Sequence, residues 1–259
     1  MDILFYVLAG AGVGLAIGLT GVGGGSLMTP LLILFGFPYH IAIGTDLLYA
    51  AATKAGGMAS HRRQGNINWQ LTLRLALGSV PATLLTLLLL KTVFGDANAY
   101  KPLLTTSLGI MLILTSAVLI LKPHLQRHTS EAPENARSRK SPVVLTVLMG
   151  VFLGVFVTLS SVGAGAIGTA ILMLLYPALQ ARQVVGTDIA HAVPLTLIAG
   201  LGHMAVLGNV DFLLLACLLV GSLPAVNLGA RLSSNLPHRF LQPILATILM
   251  ALGVKFAIF

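Results

Sequence analysis

Charge is what this sequence has least of. Only 8% of its 259 residues are Asp, Glu, Lys or Arg, and just seven are acidic, where a soluble domain carries about 25% charged residues. With 56% hydrophobic residues and a mean hydropathy of +0.95, the chain has too little polar surface to face water on all sides. Lipid is the solvent its composition calls for. Cysteine is nearly absent: Cys217 stands alone, which excludes an internal disulfide or a Cys-based zinc site and leaves core packing. No Walker-type phosphate loop, Gly-x-Ser-x-Gly elbow or His/Cys cluster at metal-ligand spacing occurs. An ATP-driven pump, a serine hydrolase and a metalloenzyme therefore have no residues to rest on; no enzyme activity and no cofactor are expected. The 15 basic residues form no single face for nucleic acid. They fall mostly in the short connections between apolar runs.

Those apolar runs predict helices near 3–20, 25–37, 41–60, 69–90, 101–121, 143–160, 165–176, 183–206, 211–232 and 239–259. A crossing takes about 20 apolar residues, so 25–37 and 165–176 are short. Each opens at a glycine-rich motif and reads as a half-helix.

Most telling is a degenerate internal repeat. Thr20-Gly21-Val22-Gly23-Gly24-Gly25 returns as Ser160-Ser161-Val162-Gly163-Ala164-Gly165, and Gly44-Thr45-Asp46 as Gly186-Thr187-Asp188. His61 returns as His203, Gly65-Asn66-Ile67-Asn68-Trp69 as Gly208-Asn209-Val210-Asp211-Phe212, and Gly78-Ser79-Val80-Pro81-Ala82 as Gly221-Ser222-Leu223-Pro224-Ala225. The offset drifts only from 140 to 143. The expected fold is an all-α polytopic membrane protein of two repeats, residues 1–121 and 143–259, joined by a polar linker at 122–142. Five segments per repeat is an odd number, so the repeats are expected to be inverted. With Asp2 outside and the first run retained, Arg62, Arg63, Lys122, Arg127, Arg137, Arg139, Lys140, Arg182, Arg231 and Arg239 fall on the cytoplasmic side, against Lys91 and Lys101 outside. That is the positive-inside bias.

Candidate chemistry follows. A break at Gly23-Gly24-Gly25 leaves free N–H donors and a positive dipole end on the next half-helix, an arrangement that binds small oxyanions. Ser26 adds a hydroxyl, and Ser161, Gly163 and Gly165 are the counterparts in the second repeat; close helix packing is the competing reading of such glycines. Asp46 and Asp188 occupy equivalent places. A carboxylate in the apolar zone costs at least ~2.5 kcal/mol, so either one serves proton coupling or caps a helix start. Lys54, whose repeat position is Thr196, is a mid-membrane cation suited to an anion or to snorkelling. His191, one turn past Asp188, is a candidate proton relay. Asn66, Asn209, Asn68 and Asp211 read as caps, and His61 and His203 as structural.

Gly18–Pro30, the Gly-Thr-Asp helix start and Arg62-Arg63-Gln64-Gly65-Asn66-Ile67-Asn68-Trp69 together resemble the TauE/SafE sulfite-exporter family of small-anion permeases. The resemblance implies a bacterial inner-membrane carrier that moves sulfite or related sulfur oxyanions outward, without a prosthetic group. The expected partners are a small anion, the lipid bilayer and, if transport is coupled, protons; a homodimer is an open assembly. A gated anion channel, and a cation/proton antiporter using Asp46 and Asp188, remain alternatives.

Overall fold

The computed structural model describes residues 3–20, 26–95, 97–130, 142–233 and 238–258. Among the described residues the regular structure is entirely helical. It comprises α1 (Ile3–Thr20), α2 (Met28–Leu34), α3 (Tyr39–Arg63), α4 (Trp69–Leu89), α5 (Ala97–Ser130), α6 (Val143–Ser160), α7 (Ala166–Leu175), α8 (Ala181–Gly202), α9 (Phe212–Ser233) and α10 (His238–Ile258). Among the described residues five stretches are long and apolar enough to cross a membrane: Trp69–Phe94, Ala97–Leu121, Val143–Ser160, Ala181–Leu207 and Phe212–Leu232. The protein is an all-α polytopic membrane protein. The two segments expected to be short are α2 and α7, of 7 and 10 residues. At ~1.5 Å per residue neither can span a bilayer.

Local signals set the boundaries. Gly36 adopts φ +89, and Gly36 and Phe37 donate their N–H groups to Ile33 and Leu32 at 3.0 Å. This Schellman closure stops α2 before Pro38. Asn68 caps α4 by accepting from Leu71 N–H at 3.2 Å, and Asp211 caps α9 by accepting from Leu214 N–H at 2.9 Å. Asn66 and Asn209 are not caps, contrary to expectation. Their side chains donate to Gln64 and to the Tyr100 hydroxyl, while their main-chain carbonyls press on Gly186 and Gly44. The last drift in repeat offset, between His61/His203 and Gly65/Gly208, has a physical counterpart: a π-helical turn at His203–Leu207 absorbs the extra residue.

Packing runs between the halves. α1 lies against α9 and α4 against α6, and these two pairs are each other's counterparts when the repeats are exchanged. Gly10 and Gly14 of α1 meet the carbonyls of Leu218 and Ser222; their counterparts Gly150 and Gly154 meet those of Leu75 and Ser79. Gly78 and Gly221 answer from the facing helices against the carbonyls of Val147 and Val7. Any Cβ at these glycines would collide with backbone. Lipid tails are as apolar as leucine, so close backbone approach at small residues is what holds such pairs together.

The remaining two pairs each join corresponding helices, which run antiparallel. In α3–α8, Leu48 faces Gly200 while Gly57 faces Ile189; in α5–α10, Gly109 faces Ala257 while the Ser116 hydroxyl donates to the Ala246 carbonyl at 2.7 Å.

Candidate functional site

The repeated Gly-Thr-Asp triplets lock the halves together and carry the aspartates to the middle. Gly44 accommodates the Asn209 carbonyl and Gly186 the Asn66 carbonyl. One residue on, the Thr45 hydroxyl accepts from Asp211 N–H at 3.1 Å, and the Thr187 hydroxyl from Asn68 N–H at 3.0 Å. Each triplet thus docks on the cap of the other repeat's fourth helix. Asp46 and Asp188 follow immediately, eight residues into their helices and fully buried. That depth excludes the expected reading in which each caps its own helix.

Asp46 caps a different helix. Its Oδ2 accepts from the Thr29 hydroxyl at 2.5 Å and from Thr29 N–H at 3.2 Å, so it satisfies a donor at the start of α2 that the short helix leaves open. Asp188 has the matching position beside α7, where its Oδ1 presses on Gly168. Yet Thr169, the repeat mate of Thr29, turns its hydroxyl back to the Gly165 and Ala166 carbonyls at 2.6 and 2.9 Å. Among the described residues neither carboxyl oxygen of Asp188 has a hydrogen-bond partner.

The second glycine motif is a true break. Ser161, Gly163 and Gly165 adopt φ of 59, 118 and 126, a run of left-handed backbone that ends α6 and starts α7 without a side-chain cap. Lys54 comes from α3 of the other repeat, 8% exposed, and donates to the Ala164 carbonyl at 2.9 Å. Its ammonium lies within electrostatic reach of Asp188, Asp46 and His191, so it is a core residue and does not snorkel. Ser161 is buried with its hydroxyl turned to the Asp46 carboxyl, without closing a hydrogen bond. His191 bonds Ser79 through Nε2 at 2.8 Å and leaves Nδ1 unpartnered. Ser26, in the turn entering α2, is buried with a free hydroxyl. Gly23, Gly24 and Gly25 lie outside the described residues.

The chain belongs to the sulfite exporter TauE/SafE family. That family's description, "Sulfite exporter TauE/SafE", matches residues 6–256. Among similar proteins, the probable membrane transporter protein YjnA of Bacillus subtilis (strain 168) is 40% identical over 249 residues, 96% of this chain and 97% of that protein. The probable membrane transporter protein YdhB of the same organism is 29% identical over 248 residues, 92% and 95% of the two chains. The probable membrane transporter protein MJ0441 of Methanocaldococcus jannaschii is 26% identical over 265 residues, 96% and 92% of the two chains. No solved structure matches. The relatives are described as membrane transporters, and this chain shares their family.

Within this TauE/SafE chain the structure gathers Lys54, Asp46, Asp188, His191 and Ser161 into one buried cluster fed by both repeats. Four residues went unread in the sequence: Thr29, Ser79, Tyr49 and Ser222; the last two hold the repeat positions of His191 and Ser79, but their hydroxyls close no hydrogen bond. A signal for the serines was present, since both stand in the repeated Gly-Ser-x-Pro-Ala stretch. Nearer one end of the bundle, a cavity of about 350 Å³ is lined by Phe37, Tyr39, His40, Asn98 and Lys101, among others.

Proposed function

We propose that this protein exports a small sulfur-containing oxyanion, sulfite or a sulfonate- or thiosulfate-like anion, by alternating access at the Lys54 cluster. The observation that carries the reading is the Lys54–Ala164 hydrogen bond: a buried ammonium from one repeat against the broken backbone of the other. A buried cation with donors to spare, beside a free serine hydroxyl and the start of a half-helix, is chemistry for an anion. On this reading the anion is assigned to Gly23, Gly24, Gly25 and Ser26 of the first repeat and to Ser161, Gly163 and Gly165 of the second. Every described residue of the cluster is at most 8% exposed, so in this reading an anion reaches it as one repeat moves against the other.

Antiparallel pairing of corresponding helices supports inverted repeats, residues 1–121 and 143–259. The basic residues then orient the chain with its N-terminus outside the bacterial inner membrane. An interior negative by ~100 mV drives an exported anion by ~2.3 kcal/mol per charge, and Asp46, Asp188 and His191 supply proton-accepting groups for coupling. In proteoliposomes loaded with sulfite, the wild type should release it in a saturable manner and Lys54→Met should not. Equal release from both would remove Lys54 from the site. The two buried carboxyls favour one rival, a cation/proton antiporter. That rival loses all flux on Asp46→Asn or Asp188→Asn and tolerates Lys54→Met.

A further inference from the structure

The two aspartates are equals in sequence but not in their surroundings. Asp46 is engaged by two donors of Thr29. Asp188 is fully buried beside the start of the ten-residue α7, and among the described residues both its oxygens are unpartnered. Its own neighbours do not serve it: the Thr169 hydroxyl is turned away, Gly168 offers no side chain, and the hydrogen bond of Lys54 goes to Ala164. In the same buried cluster stand groups with capacity left over. Lys54 has two further N–H donors, and the hydroxyl of Ser161 and Nδ1 of His191 are unpartnered. The charged group that faces Asp188 is Lys54 from α3, which in turn faces Asp46 on its own helix and His191 on α8.

A ligand that completes this arrangement must accept from Lys54 and Ser161 and, at the same time, donate to Asp188. Sulfate and an alkyl sulfonate carry only acceptors near neutral pH and would set oxygen lone pairs against the carboxyl. An oxyanion that keeps one acidic proton has both faces. We infer that the site selects oxyanions carrying a proton, hydrogen sulfite above all, and that Asp188 is the residue that reads that proton. This deepens the oxyanion-exporter reading and rests on it. Selection works by leaving the wrong ligand's partner unsatisfied, which discriminates far more sharply than a change of size.

The test is binding to purified full-length protein at neutral pH, where hydrogen sulfite is still a major form of sulfite. The panel is sulfite, methanesulfonate and sulfate, followed by thermal shift and isothermal titration. Hydrogen sulfite should bind roughly 100-fold more tightly than methanesulfonate, which has the same charge and no proton. Asp188→Asn, whose amide donates, should bring the two within roughly tenfold by improving methanesulfonate. Asp46→Asn should keep the selectivity ratio even where overall affinity falls. Wild-type protein that binds methanesulfonate as tightly as sulfite overturns the inference without any variant, and so does an Asp188→Asn protein with the full ratio intact. If none of the three anions binds, the oxyanion-exporter reading itself fails, and this inference with it.

Discussion

The contact between Thr29 and Asp46 offers the most direct check on how the short helix α2 is held. Both residues are fully buried, and the hydroxyl reaches Oδ2 at 2.5 Å beside the 3.2 Å bond from Thr29 N–H. Thr29→Val keeps nearly the same shape and deletes only the hydroxyl donor. A hydrogen bond to a charged group contributes ~1.5–3 kcal/mol, and Thr29→Val removes one of the two donors on Oδ2 while the Thr29 N–H stays. We expect ~2 kcal/mol of destabilisation, a fall in melting midpoint of roughly 4–8 °C for a chain of this size. Cys217 is a built-in reporter, being the one cysteine of the chain and buried. A thiol-reactive fluorogenic dye should read unfolding in detergent directly. Thr169→Val is the internal control. Its hydroxyl bonds only main-chain carbonyls of its own turn, so its removal should cost under ~1 kcal/mol. A double-mutant cycle of Thr29→Val with Asp46→Asn should show coupling above ~1 kcal/mol. Equal midpoints for the two threonine variants, or no coupling in the cycle, would refute the claim that Asp46 anchors α2.

Other expectations follow from the same geometry. Gly44→Ala and Gly186→Ala each drive a methyl into a main-chain carbonyl of the opposite repeat; each should cost ~1–3 kcal/mol, and similar losses from the two, read as melting midpoints, would reflect their equivalence. Lys54→Met removes the cation that faces both aspartates and should weaken a divalent anion more than a monovalent one, checked by titration calorimetry; equal losses would make Lys54 structural. Single cysteines at positions 62 and 208 in a Cys217→Ala background should label from opposite sides of the membrane with an impermeant maleimide. Labelling from one side would remove the inverted arrangement.

Much of the architecture was legible in the chain because lipid leaves few options: a backbone without water must close its hydrogen bonds within helices. Hydropathy therefore marked most helices to within a few residues, and the glycine motifs marked the two short ones; α5 is the exception, since it runs on to Ser130, past the expected end at 121 and into the expected linker. The repeat in sequence likewise foretold that equivalent residues would play equivalent parts, as Thr45 and Thr187 do at the facing caps. Lys54, Asp46 and Asp188 could be picked out because an ion is rare in so apolar a chain, but not what each touches.

Composition and periodicity by themselves determined the class, the helices and the doubling, since those depend on residue type and spacing alone. The partners were decided only by tertiary structure. The Lys54 hydrogen bond spans 110 positions and Ser79–His191 spans 112, distances over which no local pattern carries information. The difference between the aspartates is a further case. The sequence gives both the same preceding residues and a threonine at the matching place, and only the direction in which Thr29 and Thr169 turn separates an anchored carboxyl from an unpartnered one. A rotamer is set by its packed surroundings, and those exist only once the two repeats have come together.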